Sequence, residues 1–132
     1  MKAATAFLVA IVVAACSPSG HVLTGTFTMR SDGWAYLTAN DPTTGCRGTG
    51  GYSDVGAGMP VTVRNSAGAT IASGVTLFDA TEPLGTCRLV FTVSGVPDSD
   101  QYLVAVGARG ALQYSRADLI TSGWHVDLTL GG

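Results

Sequence analysis

Six of the fourteen residues from Gly45 to Gly58 are glycine. That density removes the side-chain restraint which helices and regular strands rely on. The run is therefore expected to be a long loop, Gly45-Cys46-Arg47-Gly48-Thr49-Gly50-Gly51-Tyr52-Ser53-Asp54-Val55-Gly56-Ala57-Gly58. Strand-like patterns lie on both sides of it. Its Cys46 has one possible partner in the body of the chain, Cys87. A chain with such a loop in its middle is expected to be built from short strands, with the loop pinned at one end.

Location decides how the cysteines are read. Met1-Lys2 is followed by an almost wholly apolar run from Ala3 to Ala15 and then by Cys16. A positive start followed by a short apolar run is the pattern of a secretory signal. The run is shorter than the roughly 20 residues that a membrane-spanning helix needs. Its end, Val13-Ala14-Ala15-Cys16, resembles the lipobox of bacterial lipoproteins. The resemblance implies diacylglyceryl transfer to the Cys16 sulfur, cleavage before Cys16, and a protein held at the outer face of the cell membrane. The expected organisation is a signal peptide over 1–15, a lipidated cysteine and short tether over 16–20, and one domain over 21–132. Four extended tether residues reach only about 14 Å, so the domain is expected close to the bilayer.

In an exported chain a disulfide is the default reading of Cys46 and Cys87. Two separate cysteines also lack the paired spacing of zinc sites. The bridge would close a loop of about forty residues, worth about 4 kcal/mol in the chain-entropy model.

Strand patterns fill the rest. His21 to Met29 alternates, with Leu23, Gly25, Phe27 and Met29 on one face and Thr24, Thr26 and Thr28 on the other. Trp34 to Leu37 is a possible short strand, stopped by Asn40-Asp41-Pro42. Pro60 to Arg64 and Ala69 to Phe78 make a hairpin around Asn65-Ser66-Ala67-Gly68, with Ile71, Val75 and Leu77 in phase. Cys87, Leu89, Phe91 and Val93 share one parity, which turns Cys87 inward. Tyr102, Val104 and Val106 form another face, and Trp124, Val126, Leu128 and Leu130 the last. Ser115 with Asp118 three residues on has the form of a helix start, and Gly123 can end that helix. The expected fold is all-β: an antiparallel β-sandwich of seven to eight short strands, with one short helical turn near 115–122. A β-barrel is the alternative.

The hairpin Val61-Thr62-Val63-Arg64-Asn65-Ser66-Ala67-Gly68 and its return Ile71-Ala72-Ser73-Gly74 resemble the immunoglobulin-like and transthyretin-like sandwiches of exported bacterial proteins. Gly45 to Asp54 and Tyr102 to Gly110 are similar to stretches of small actinobacterial envelope proteins. Those resemblances imply an envelope β-sandwich and bring no activity with them.

Composition narrows the function classes. After Lys2 the positive charge is six arginines and no lysine, against nine acids. That excludes the clustered basic surface needed to grip nucleic acid. The glycine run lacks the Gly-Lys-Ser/Thr of a P-loop and the Gly-x-Gly-x-x-Gly between strand and helix of a dinucleotide site. No cofactor is expected. Only His21 and His125 could serve a hydrolase, and His125 has Asp127 on its face but no Gly-x-Ser-x-Gly nucleophile elbow. Asp98-Ser99-Asp100 lacks the remaining ligands of a calcium loop, and no metal is expected. The leading expectation is a non-enzymatic binding or scaffolding module on a lipid anchor, with an unidentified envelope protein or small ligand as partner. A small-ligand or ion carrier comes second, and an envelope hydrolase last. The candidate binding residues are Arg47, Tyr52 and Asp54 on the glycine loop, because Arg and Tyr are enriched at binding hot spots. Arg109 joins them at an Arg109-Gly110 turn, where a solvated arginine is the plain reading. Tyr52 packing inward and Arg47 pairing with Asp54 would make the loop a structural plug instead.

Overall fold

The computed structural model describes residues 20–29, 33–79 and 85–130. Cys16, the signal segment, the tether from Ser17 to Ser19, the Ser31-Asp32 turn and Pro83 lie outside the described residues.

The elements, in chain order, are β1 (His21–Met29), β2 (Trp34–Thr38), β3 (Asp41–Gly48), a 3₁₀ turn (Gly50–Tyr52), β4 (Pro60–Arg64), β5 (Thr70–Phe78), β6 (Cys87–Val96), β7 (Gln101–Val106), β8 (Leu112–Ser115), α1 (Arg116–Thr121) and β9 (His125–Leu130). The all-β class holds, but the arrangement is not a clean antiparallel sandwich. Seven strands form one mixed sheet, ordered β8-β7-β4-β5-β6-β1-β9, and β2 with β3 forms a separate two-stranded sheet. The pairing of β1 with β9 is parallel.

The large sheet curls because β5 serves two partners. Its first part, through Val75, pairs with β4, and Thr76 to Phe78 pair with β6. Gly74 lies at the changeover, where an added Cβ would stand 2.5 Å from the Thr92 carbonyl oxygen. The inner faces of both halves then meet in one core, which includes Leu23, Phe27, Leu89, Phe91, Val104 and Leu128.

Most parities read from the sequence hold, but that of the second half of β5 is reversed. Val75 and Leu77 are exposed at 52% and 59%, while Thr76 is fully buried. Only a glycine fits at the inward position 74, so Val75 and Leu77 take the outer face, while Ile71, beside the register shift with β4, still packs against the core. Thr76 is satisfied inside: its hydroxyl donates to the Gly56 carbonyl (2.7 Å) and accepts from the Met59 amide (3.0 Å). β2 ends at Thr38, ahead of Asn40 as expected, but Asp41 and Pro42 open the next strand rather than lie in the break. Asn40 adopts φ 62° as the turn of the β2–β3 hairpin, and β3 starts at Asp41.

Ser115 caps α1 with both halves of a capping box: it accepts from the Asp118 amide, and the Asp118 carboxylate accepts from the Ser115 amide. That pairing holds the Asp118 carboxyl below the usual carboxylate range. After Gly123 the chain enters β9 through Trp124, which has φ 60°. Its ring stacks on His21 at 3.9 Å and meets Tyr102 edge-on at 5.6 Å. His21 is thus held at the start of β1 and also lies 2.8 Å from Asp98.

Gly25 shows how closely neighbouring strands pack, since it sits opposite Phe91 across the β1–β6 ladder. A Cβ there would lie 2.1 Å from the tip of the Phe91 ring. Gly25→Ala is expected to force that ring off its packing and cost about 1–3 kcal/mol, read as a lowered denaturation midpoint. An unchanged midpoint would show that the ring has room to move.

Candidate functional site

The Met29 end of the sheet collects the functional candidates. Met29 pairs with Cys87, and Cys87 is bonded to Cys46, with Cα atoms 5.8 Å apart. The expected bridge is present, and Cys87 is fully buried, as its parity required. The bridge ties β3 to β6.

The glycine run is not one loop. Gly45 to Gly48 complete β3, pairing with β2 through Trp34, Ala35 and Tyr36. Gly50 to Tyr52 form the 3₁₀ turn, and turns lead on to β4. Gly48 has a packing reason: a Cβ there would collide with the Tyr52 carbonyl. The 48–55 segment closes on itself through Gly48 N–H to the Val55 carbonyl (2.8 Å).

Residues 56–59 are bound to Thr76 from both sides. Besides the two side-chain bonds, the Gly58 amide donates to the Thr76 carbonyl (2.7 Å) and the Thr76 amide to the Met59 carbonyl (2.9 Å). Thr76 therefore fixes one wall of a cleft of about 510 Å³. Leu37, Thr44, Arg47, Ser53, Asp54 and Phe78 are among its lining residues. Its size falls within the roughly 300–1,000 Å³ common for ligand sites.

The four candidate side chains separate into two groups. Arg109 lies in the turn after β7, as expected, but its side chain is not simply solvated. Its Nη2 donates to the Gly51 carbonyl (3.0 Å) and to Asp54 Oδ1 (2.6 Å), and its guanidinium sits 5.3 Å over the Tyr52 ring. Tyr52 is half-buried against the core, with its ring so close to Gly33 that a Cβ there would lie 2.4 Å away. Asp54, Arg109 and Tyr52 thus form a latch between the 50–54 turn and the loop after β7. Arg47 does not join it. It is exposed on the cleft lining, and no ion pair is found for it among the described residues. Thr76, Phe78 and Leu37 were absent from the sequence candidates. The signal for Phe78 was its place at the strand end; Thr76 had none.

A second polar cluster lies on the outer face of β1 and β9. Thr24 Oγ1 is 2.8 Å from His125 Nδ1, His125 Nε2 is 3.0 Å from Asp127 Oδ1, and Thr26 Oγ1 donates to that same oxygen at 2.6 Å. The order hydroxyl, imidazole, carboxylate invites a hydrolytic reading. Acyl transfer also needs donors aimed at a developing oxyanion. β1 lies inside the sheet, paired with β6 on one side and β9 on the other, so its amides are committed to the ladders. The cluster cross-links two strands. The Thr26 hydroxyl, and then His125, hold the Asp127 carboxyl below its usual range. A depressed carboxylate adds stability above its unfolded pKa, about 3.9, and loses it as pH falls through the folded value. Asp127→Asn is therefore expected to flatten the loss of stability on acidification below about pH 4, measured as melting temperature against pH. Parallel curves for variant and parent would refute this.

Among the described residues, no group of three or more His, Cys, Asp or Glu side chains could hold a metal ion, and no helix is long and apolar enough to cross a membrane. No protein-family model, curated protein or solved structure matches the chain.

Proposed function

We propose that this chain is a non-enzymatic binding module of the cell envelope, lipid-anchored at Cys16, which presents the Arg47 cleft at the end of its sheet away from the bilayer. One observation carries the reading. β1 begins at His21, five residues after Cys16, and runs to Met29, beside the bridge and the cleft. Nine strand residues span roughly 30 Å. A lipid on Cys16 with a short tether would hold the His21 end near the membrane and leave the cleft facing outward. The lipobox-like Val13-Ala14-Ala15-Cys16 supports the anchor. The wall held to Thr76 supports binding, since a preorganised site loses less entropy when occupied.

Two measurements test this. Cys16→Ala should move the protein from the detergent phase to the aqueous phase, because acyl chains contribute about 0.8 kcal/mol per buried methylene. Parent protein whose N-terminal peptide has no lipid mass would refute the anchor. For the binding end, a photo-crosslinking amino acid at Ser53, on the cleft, is expected to give discrete adducts in intact cells. The same group at Ser66, in the turn at the opposite end, should not. Equal labelling from both positions would refute a cleft-directed partner.

A further inference from the structure

We infer that the cleft takes a small amphipathic anion, a single carboxylate on an apolar body, with Arg47 as its cation. This rests on the binding reading above and names the ligand class for the same site.

Charge is the first argument. Among the described residues, Arg47 and Asp54 are the charged ones of the lining. Asp54 is held by Arg109 at 2.6 Å, so its charge is compensated from outside the cleft. Among the described residues, Arg47 is left without an ion-pair partner. A planar guanidinium matches a carboxylate through two parallel N–H···O bonds. One arginine in the described lining balances one negative charge, which suits a monoanion, whereas a phosphate dianion would call for a second cation there.

The apolar surface is the second argument. Leu37 is 57% exposed at the rim, and Phe78 is only half-buried. Both line the same space as Arg47. An apolar body lying on them would cover surface that the fold leaves in water.

The wall is the third argument. Gly56, Ala57 and Gly58 carry almost no side chain where the cleft is bounded. Gly58 has φ 85°, which favours glycine whatever surrounds it. Gly56 has no such backbone requirement, and a Cβ added there would meet only Arg47 Cβ, at 3.6 Å, an ordinary contact. Nothing in the packing demands glycine at 56. Its effect is to leave open the space beside Arg47.

The test uses the full-length ¹⁵N-labelled chain in detergent micelles, titrated with 3-phenylpropionate and, separately, with its uncharged amide. The carboxylate should shift the amides of Arg47, Gly56 and Ala57. The amide analogue, Arg47→Gln and Gly56→Leu should each weaken that binding at least tenfold, about 1.4 kcal/mol. Arg47→Gln alters an exposed side chain and serves as the check should Gly56→Leu lose stability. Equal binding of the acid and its amide, unchanged binding by Arg47→Gln, or an absence of cleft shifts at millimolar ligand would each overturn the inference. Ser53 adducts without 3-phenylpropionate binding would sink the ligand class and leave the binding reading standing. Loss of both would remove both.

Discussion

Replacing Cys46 and Cys87 together by serine is expected to lower stability by about 2–5 kcal/mol. The separation of 41 residues corresponds to about 4 kcal/mol in the chain-entropy model. Small domains have only about 5–15 kcal/mol in all, so the variant should sit near its unfolding threshold. The loss should also be uneven. β2 and β3 pair with each other and with no strand of the large sheet, and a lone hairpin is marginal in water. The bridge from β3 to β6 is the covalent tie that keeps this hairpin on the core. Without it, hydrogen exchange in 34–48 should rise well before exchange in β1 and β6. Denaturant titration reads the first effect, and residue-resolved exchange the second. If the hairpin amides stay as protected as those of β1, side-chain packing holds the hairpin and the bridge is redundant there. Because Gly45, Cys46 and Arg47 lie on this hairpin, the cleft should lose its shape in the same step.

Tyr102→Ala is expected to cost about 3–5 kcal/mol, the range for removing a large aromatic from a core. The ring is fully buried and meets Trp124 edge-on. Its hydroxyl donates to the Pro97 carbonyl (3.0 Å) and accepts from the Ser99 amide (2.8 Å). Tyr102→Phe separates the two contributions. It keeps the ring and removes two hydrogen bonds at a partly exposed turn, for about 1 kcal/mol. Urea unfolding at constant slope measures both variants. If phenylalanine costs as much as alanine, the turn geometry dominates and the ring packing does not. The alanine variant should also release Trp124, which is stacked on His21, so its fluorescence should change with the loss of stability. An alanine variant within about 1 kcal/mol of the parent would contradict the burial argument.

Local patterns were readable where one face of a strand is buried and the other wet. The alternation of β1 shows this, with Leu23 and Phe27 inward and Thr24 and Thr28 half-exposed. So does Cys87, whose parity with Leu89 and Phe91 turns it inward. The Ser115 cap was readable because capping is settled within four residues. β5 was misread because the rule assumes that apolar residues take the inward parity. Close approach of Thr92 reserves position 74 for glycine, and hydrogen bonds from residues 56–59 make the inward Thr76 acceptable.

For the candidate site, the cysteine pair and a glycine-rich segment beside it were legible in the chain. It also made Arg47, Tyr52, Asp54 and Arg109 the side chains to examine. Each of these depends on residue type and short-range spacing. That Arg109 crosses to Asp54 and Tyr52 while Arg47 stays exposed on the cleft follows from how the folded strands come together. The same holds for the parallel pairing of β1 with β9, which brings Thr24 within 2.8 Å of His125, 101 positions along the chain. Local propensity is set by neighbours a few residues away. Which strand edges meet, and so which charges are compensated, is set by how the whole sheet curls to close its core.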